Sequence, residues 1–343
     1  MAGAKLRKFK ADKDLELFAV SPADAAAEAV SNRDNQVYFG QGAISLREGD
    51  VVLDCGANVG SFARMAAPVI GPKGKVYCME PMPDVCAALK LNILKYKEWA
   101  DQHKMKVAEV AAICAGVGDE GSQPEREFAY YPRLTAMSSM YPDEADAAQA
   151  TFSLVLNRAE SFSLLEDMGK AVARCSPQLY KLVHSVFFRA LLLRPAEKVM
   201  CPMVTVSQLI QQYNIREVGL LKINVERAEW DVLAGIQEQD WPKVRQVAAQ
   251  VHDIRGRVGH LAELLRRRGF DVTVCQEPRF AACNLHMLNR RSRERSYCDE
   301  CRSAQTVAAM LGRSACMSSW QQIAACHRHK WFSSEINGRK LGH

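Results

Sequence analysis

The sequence predicts an α/β fold with a doubly wound, mainly parallel sheet, and three observations support this prediction. Short apolar runs alternate with helical patterns of apolar residues between about residue 36 and residue 289, as in successive βαβ units. A glycine-rich turn follows the first apolar run directly, and an acidic residue follows the second. Two neighbouring apolar runs at 270–275 and 282–288 then predict a closing pair of strands.

Local patterns define the individual elements. The apolar run at 51–55 ends at Gly56, and the helical pattern after it is ended by Gly71 and Pro72. Asp84 can cap a helix whose apolar residues recur every four positions, and the TVSQ sequence at 205–208 is a capping box. We predict strands at 51–55, 76–79, 105–114, 218–225 and 246–251, and helices at 62–69, from 84, from 205, at 229–236 and at 260–268.

Three segments lie outside this alternation. Residues 1–35 are polar and alanine-rich, and we expect a loosely held N-terminal arm with a helix near 22–30. Residues 141–199 are too long for a structureless loop and predict a helical insertion within a domain at 36–289. The insertion lies either over the C-terminal edge of the sheet, where open α/β folds bind ligands, or on its flank with no role in a site. Residues 290–343 form a C-terminal extension.

Composition and charge exclude several classes of protein. With 48% hydrophobic and 24% charged residues, the chain is neither disordered nor collagen-like. No apolar stretch approaches the ~20 residues of a membrane span, and residues 1–13 lack a secretory signal. Residues 290–343 hold 10 Lys and Arg against 4 Asp and Glu, which accounts for the whole net charge of +6. Since the body is neutral, we expect no nucleic-acid partner. Because no membrane span and no secretory signal are visible, we expect no membrane partner and a cytoplasmic location.

The twelve cysteines are many for an intracellular chain. Cys55, Cys78, Cys114 and Cys275 lie in strand-like apolar runs, where free cysteine behaves as a small hydrophobe. Without a visible signal peptide, we expect reduced thiols. In the extension, a CxxC pair at 298–301 predicts either half of a zinc site or a poorly packed basic tail, and the wide spacing of the later cysteines favours the tail.

The most informative motif is the turn that connects the first strand to the first helix. Asp54, Gly56, Asn58 and Gly60 stand in the pattern D-x-G-x-N-x-G, whose glycines allow a tight turn and close approach of a ligand to the backbone. Glu80 follows at the end of the second strand, where a carboxylate can accept both hydroxyls of a ribose. Turn and acid together indicate a nucleoside cofactor. The alternative is a tight turn followed by a solvated acid.

The leading acid of this motif favours one cofactor over another. Asp54 would repel the pyrophosphate of a dinucleotide, but it suits the ammonium group of an amino acid, directly or through water. That argues for S-adenosylmethionine, which carries a ribose, an ammonium and a sulfonium group. An NAD(P)-dependent oxidoreductase is disfavoured because the glycine spacing differs from G-x-G-x-x-G.

Several segments in one order resemble the FkbM family of S-adenosylmethionine-dependent methyltransferases. They are VVLDCGANVG at 51–60, VYCMEP at 76–81 and LLKINVERAEWDVLAGI at 220–236, with VYFGQGA at 37–43, TVSQL at 205–209 and QVHD at 250–253. The resemblance covers about residues 36–289. It implies a Rossmann-like fold of the class I methyltransferase type and O-methylation of a hydroxyl on a small molecule or glycan.

The resemblance also implies roles for individual residues. The four motif residues Asp54, Gly56, Asn58 and Gly60 would form the methionine side of the pocket, and Glu80 would hold the ribose. Asp119 either bonds the adenine amino group or forms part of a surface turn, since GDEG at 118–121 is a strong turn signal.

Three positions depart from the family pattern. Asn224 stands where the family has Asp, Arg227 where it has Gly, and Gln250 where it has Glu. Two carboxylates have become amides, which keep hydrogen bonding but lose charge and basicity. These changes bear on catalysis more than on cofactor binding, so the alternative function is a scaffold or binding protein that keeps the fold without turnover.

The candidate catalytic residues lie at the ends of the fourth and fifth strands. His252 is the first candidate for a base because its ordinary pKa lies near neutral pH, and Glu226 is the second, as base or substrate anchor. Lys222 is the third polar group there. The alternatives are a structural histidine, a lysine paired with a neighbouring acid, and stabilisation of a helix N-terminus by Glu226 and Glu229. We predict no metal, because the two amides weaken a set built on Glu226, His252 and Asp253.

One further segment bears on the acceptor. The aromatic, turn-like stretch at 130–142 either lines the acceptor pocket or packs as a surface loop. The sequence does not define the acceptor or the oligomeric state.

Overall fold

The computed structural model describes residues 5–12, 14–34, 44–119, 121, 123–142, 197–252, 256–276 and 284–291. These residues belong to the first of two units into which the chain divides, Met1–Ser292 and Arg293–His343. In chain order the elements are β1 (Arg7–Asp12), β2 (Leu15–Ala19), α1 (Pro22–Asp34), β3 (Val51–Cys55), α2 (Ser61–Ile70), β4 (Lys75–Met79), α3 (Pro83–Gln102), β5 (Glu109–Ile113), β6 (Gly116–Val117), β7 (Glu125–Tyr130), β8 (Glu197–Val204), α4 (Val206–Gln212), β9 (Leu220–Ile223), α5 (Glu229–Ala234), β10 (Gln246–His252), α6 (Arg257–Arg267), β11 (Phe270–Gln276) and β12 (Asn284–Arg291).

The central sheet has seven strands in the order β11-β12-β10-β9-β3-β4-β5. The five strands from β10 to β5 are parallel, and β12 runs antiparallel to both of its neighbours. The α/β, Rossmann-like fold and the closing strand pair predicted from the sequence are therefore confirmed. The chain proceeds from β3 to β4 and β5 on one side, and from β9 to β10 on the other. The switch point, where such sheets bind ligands, thus lies between β3 and β9.

Both faces of the sheet are buried. Successive residues of a strand point to opposite faces, and helices cover each face. Val52 and Leu220 pack with helices α2 and α3 in one apolar cluster. Leu53 and Leu221 pack with α4, α5 and α6 in the other. This two-sided burial explains why the strands appear in the sequence as continuous apolar runs rather than as alternating patterns.

The N-terminal residues pack more closely than the loosely held arm expected from the sequence. Strands β1 and β2 form an antiparallel hairpin, and α1 follows it. Phe9 and Leu17 of the hairpin are buried in the same apolar cluster as α2 and α3. Asn92 of α3 accepts from the backbone N–H of Phe18 at 2.7 Å and donates to its carbonyl at 2.9 Å. Alternating apolar residues in a short polar segment are a weak signal, so the docking was not visible in the sequence.

Two predicted helix starts can be compared with the structure. The capping box at Thr205 is confirmed: its hydroxyl accepts from Gln208 N–H, and the Gln208 side chain accepts from Thr205 N–H. The prediction of Asp84 as a cap is wrong. Helix α3 begins at Pro83 with Met82 at the N-cap, and Asp84 lies in the first turn. Proline suits the first helical position because it lacks the N–H that would have no partner there.

The remaining described strands form a small sheet in the order β6-β8-β7. Most of the predicted insertion, at 143–196, and the extension with its zinc alternative, from 292 onward, lie outside the described residues. Among the helices that the structure describes, none is long and apolar enough to cross a membrane.

The structure corrects one cysteine assignment. Cys114 forms a disulfide with Cys86, whereas the sequence predicted a reduced thiol. The bond joins the first turns of α3 to the segment after β5, close to the end of β4. Cys55 and Cys78 are buried free thiols, as expected.

Reduction of this disulfide should lower the free energy of unfolding by about 3–4 kcal/mol, since the bond closes a loop with a sequence separation of 28 residues. Urea unfolding with and without dithiothreitol measures the difference. The C86A/C114A double variant is the control, because its stability should not respond to the reductant. Equal stability of the oxidised and reduced wild-type chain would contradict the prediction.

Candidate functional site

The turn between β3 and α2 lies at the switch point and is built from residues with left-handed backbone angles. Gly56, Asn58 and Gly60 have φ values of 76°, 48° and 89°. A Cβ built on Gly56 would lie 1.8 Å from the carbonyl oxygen of Asn224 after β9, so no larger residue fits there. The backbone N–H groups of Gly56 and Ala57 both donate to the carbonyl of Met79 at 3.0 Å. These bonds hold the turn against the end of β4.

Glu80 faces this turn, as the sequence predicted from the ends of adjacent parallel strands. Its Oε2 accepts from the backbone N–H of Asn58 at 3.0 Å, and its Oε1 accepts from that of Met82 at 3.0 Å. Burial raises the pKa of Glu80 to about 7, against the lowering effect of these two donors. A carboxylate at the tip of β4 is thus held beside the glycine turn.

Asp54 and Lys222 form a buried ion pair under the turn. Lys222 Nζ lies 2.8 Å from Asp54 Oδ1 and donates to the carbonyl oxygen of Gly56 at 2.9 Å. The two side chains are 0% and 2% exposed for Asp54 and Lys222 respectively. The sequence assigned Asp54 to a ligand ammonium and Lys222 to catalysis, with pairing to a neighbouring acid as the alternative for the lysine. The structure brings these two residues to each other.

A second polar pair lies one strand away. Nε2 of His252, the last residue of β10, is 3.0 Å from Oε2 of Glu226, which follows β9. Burial lowers the pKa of His252, but the carboxylates of Glu226 and Glu229 outweigh burial and hold it above its ordinary value of 6.5. Both predicted candidates for the base are therefore in contact, next to the strand that carries the glycine turn.

The backbone at Glu226 and Arg227 is left-handed, with φ values of 50° and 82°. Such angles cost about 1–3 kcal/mol for residues other than glycine, and they persist where neighbours hold them. Here Ser139 Oγ donates to the carbonyl of Glu226 at 2.5 Å, and Arg227 Nη1 donates to that of Tyr141 at 2.7 Å. Arg257 Nη1 donates to the Arg227 carbonyl at 2.9 Å. The left-handed backbone at Glu226 and Arg227 is thus held by hydrogen bonds to Ser139, Tyr141 and Arg257.

The segment at 130–142 packs against this turn through Ser139, which is buried, and Tyr141. Glu229, buried at the start of α5, accepts from Arg227 N–H at 2.8 Å and lies 3.2 Å from Arg257. Its contacts agree with the structural alternative given for it above. Sequence reasoning missed Arg257, because a single arginine at a helix start carries no signal.

Asp119 Oδ1 lies 3.9 Å from Arg126 of β7. Its contact with adenine stays a prediction. Asp253 lies outside the described residues. Within the described part of the chain, no three His, Cys, Asp or Glu side chains are placed to hold a metal ion.

Glu28 of α1 is a residue at the turn that the sequence did not predict. Its Oε2 accepts from Asn58 Nδ2 at 2.7 Å. Thirty residues separate the two side chains along the chain, and α1 precedes every recognised motif. No periodicity or spacing marked Glu28, because only the docking of the N-terminal segment brings it here.

Four buried oxygens at the turn have no hydrogen-bond partner in the described structure: Asn58 Oδ1, Ser61 Oγ and both carboxylate oxygens of Asp54, one of which lies 2.8 Å from Lys222 Nζ. Buried polar atoms are paired in most proteins, so each such atom needs an explanation. A ligand that carries hydrogen-bond donors supplies one. These unpaired oxygens and the Glu80 carboxylate lie around the same glycine turn.

The sequence model of the FkbM methyltransferase domain matches residues 54–272, nearly two thirds of the chain. The chain belongs to the FkbM methyltransferase family. The 31-O-demethyl-FK506 methyltransferase FkbM of Streptomyces tacrolimicus is 35% identical over 248 residues, which are 72% of this chain and 83% of that protein. Methyltransferase 1 of Beauveria bassiana is 24% identical over 69% of this chain and 78% of its own length. The FkbM domain match begins at Asp54, so Glu28 lies outside it.

A solved FkbM methyltransferase from Methylobacillus flagellatus is also similar, with a TM-score of 0.41 and 12% identity. The match covers 74% of this chain and 47% of that one, about half of its length. An Aeropyrum pernix fibrillarin that was solved with S-adenosylmethionine bound has a TM-score of 0.37 and 12% identity, with 84% of each chain covered.

Lys222→Met should lower the free energy of unfolding by about 3–5 kcal/mol, because it leaves the charge of Asp54 buried without its partner. The D54N/K222M double variant should recover most of this loss. Urea unfolding compares both with Lys198→Met, a control that removes an exposed lysine from its pair with Glu127. A single variant as stable as the control would show that the buried pair does not stabilise the turn.

Proposed function

We propose that this FkbM methyltransferase uses S-adenosylmethionine to methylate a hydroxyl group of a small molecule or glycan. The observation that supports this most directly is the contact of Glu80 with the glycine turn at the switch point of the sheet. The name of one relative, 31-O-demethyl-FK506 methyltransferase, indicates an acceptor that lacks an O-methyl group.

The residues of the turn and Glu80 would hold the cofactor. Each carboxylate oxygen of Glu80 accepts one backbone N–H and keeps a second lone pair, so both can also accept a ribose hydroxyl. Asn58 Oδ1 and Ser61 Oγ, which are buried without a hydrogen-bond partner in the described structure, would meet the methionine end of the cofactor. When bound, S-adenosylmethionine supplies a methyl group on a positively charged sulfur. The chain contributes alignment, which alone can supply several kcal/mol to a displacement.

The Glu226–His252 pair is the proposed base. Glu226 Oε2 lies 3.0 Å from Nε2 of His252, and its charge stabilises the protonated ring, so we assign removal of the proton of the acceptor hydroxyl to this histidine. The raised pKa makes the neutral ring a stronger base, but it also keeps more of the ring protonated near neutral pH. Lys222 is a positioning residue in this proposal, because its amine is committed to Asp54 and to the turn.

The second candidate function is a binding protein with impaired turnover. Asn224 and Gln250 lack the carboxylates of the family, and the charge of Arg227 lowers the pKa of His252. Against this candidate, the Arg227 backbone adopts a left-handed conformation, which is the conformation that glycine, the residue of the family pattern, adopts readily.

Titration calorimetry with S-adenosylmethionine and with NAD, followed by mass spectrometry of a panel of hydroxylated compounds, separates the candidates. Binding of S-adenosylmethionine and a product heavier by one methyl group support the proposal. Binding without turnover on any acceptor supports the impaired protein. Binding of NAD alone would refute both.

Glu80→Ala should weaken the binding of S-adenosylmethionine by about 1–3 kcal/mol, because the ribose hydroxyls lose a buried acceptor. A 2′-deoxy analogue of the cofactor separates this effect from a change in the fold. The wild type should bind the analogue more weakly than it binds S-adenosylmethionine. The Glu80→Ala variant should bind the analogue and S-adenosylmethionine equally well. The same difference in both proteins would remove Glu80 from the ribose site.

The kcat/KM of methyl transfer should rise with pH through a pKa above 6.5, since His252 must be neutral to accept a proton and its pKa is raised. Glu226→Gln removes the carboxylate that raises this pKa, so the acidic limb of the profile should move to lower pH. Glu263→Gln, at an exposed carboxylate on α6, is the matched control. An unmoved limb in Glu226→Gln would contradict the pairing.

A further inference from the structure

We propose that Glu28 of the N-terminal helix α1 supplies the carboxylate that binds the α-ammonium group of S-adenosylmethionine. The inference rests on the proposed function, since it assigns one more residue to the same cofactor. It concerns a residue outside the matched FkbM domain, which begins at Asp54.

Asp54, the acid that the motif predicts to meet the ammonium group, has no exposed surface. Its carboxylate lies 2.8 Å from Lys222, so its charge is neutralised within the sheet. A second cation would gain little from a carboxylate that is already paired and buried. The methionine end of the pocket therefore needs another acid.

Glu28 lies at the methionine end of the proposed pocket. Its Oε2 accepts from Asn58 Nδ2 at 2.7 Å, and Asn58 is the left-handed residue at the middle of the turn. Because the Asn58 amide nitrogen faces Glu28, its oxygen is left without a partner in the described structure. Glu28 keeps part of its surface exposed, whereas Asp54 is enclosed.

The charged groups around Glu28 are mostly acidic. The charged groups that act on it are Lys222 of β9, Asp24 of its own helix, Asp54 of β3 and Glu80 after β4. The lysine is the single cation among these, and it is paired with Asp54. Burial raises the pKa of Glu28 to about 8, Lys222 lowers it, and the three acids raise it further. A pocket with this surplus of carboxyl groups suits a cationic ligand.

Helix α1 is held in place independently of Glu28. Asp24 accepts from the Thr135 hydroxyl at 3.0 Å and from the Ala136 N–H at 2.9 Å. Ser21 Oγ donates to the carbonyl of Arg133 at 3.1 Å. The helix thus presents Glu28 from a fixed position, and replacement of its carboxylate leaves these anchors intact.

The test is Glu28→Gln, which removes the charge and retains an oxygen that can accept from Asn58. Calorimetry is done with S-adenosylmethionine, with S-adenosylhomocysteine and with 5′-methylthioadenosine, which lacks the amino-acid part. We expect the first two to bind the variant about ten- to a hundredfold more weakly, the range for a lost charged hydrogen bond, and the third to bind as in the wild type. Glu16→Gln, at an exposed carboxylate of the hairpin, is the control and should change none of the three.

Two outcomes would overturn the inference. Equal weakening of all three ligands would show that Glu28 only supports the turn, and unchanged binding of all three would remove it from the site. If the wild type bound none of the three ligands, the proposed cofactor itself would be wrong. This result is distinct from the two outcomes that would overturn only the role of Glu28.

A measurement on the wild type keeps the inference testable if Glu28→Gln does not fold. The ammonium favours the ionised carboxylate, so the affinity ratio of S-adenosylhomocysteine to 5′-methylthioadenosine should rise by about tenfold between pH 6 and pH 8. Glu80 meets the ribose of both ligands and therefore cancels in the ratio. A ratio that stays constant over this interval would refute the inference.

Discussion

The buried pair of Asp54 and Lys222 is the interaction on which the rest of the site depends. It joins β3 to β9 at the switch point of the sheet, and the same amine binds the carbonyl of Gly56. Ions are costly to bury, so the pair is stable only with good geometry and further hydrogen bonds. Glycine at position 56 then lets the segment after β9 approach the turn closely. One ion pair therefore sets the position of the glycine turn and of the segment that leads to Glu226.

The two parts of the site meet through this close approach. The turn presents backbone groups, Asn58 and Glu80, and the segment after β9 presents Glu226 beside His252. Ser139, Tyr141 and Arg257 hold the left-handed backbone at Arg227 from three directions. Arginine is accommodated at position 227, where the family has glycine, because the surrounding contacts determine the backbone conformation there. The arginine side chain donates to the carbonyl oxygen of Tyr141.

In the proposed site, the N-terminal helix α1 completes the methionine end of the cofactor pocket. Its anchors lie in the segment after β7, and that segment also packs against the Glu226 turn. The hairpin, α1 and the 130–142 segment thus connect the cofactor turn to the proposed base. The Cys86–Cys114 disulfide ties the start of α3 to the end of β5, on the other side of Glu80.

The sequence by itself determined the order of strands and helices around the central sheet, the glycine turn, the acid at the tip of β4 and the capping box at Thr205, since each depends on residues close together in the chain. The same local signals placed His252 and Glu226 at the ends of adjacent strands, where parallel pairing brings side chains together. Only the tertiary structure decided that Lys222 belongs to Asp54, that Cys86 pairs with Cys114 and that Glu28 reaches Asn58. The physical reason is that the partner of a buried charge or thiol is chosen by the packing of distant segments, and local patterns carry no record of that packing.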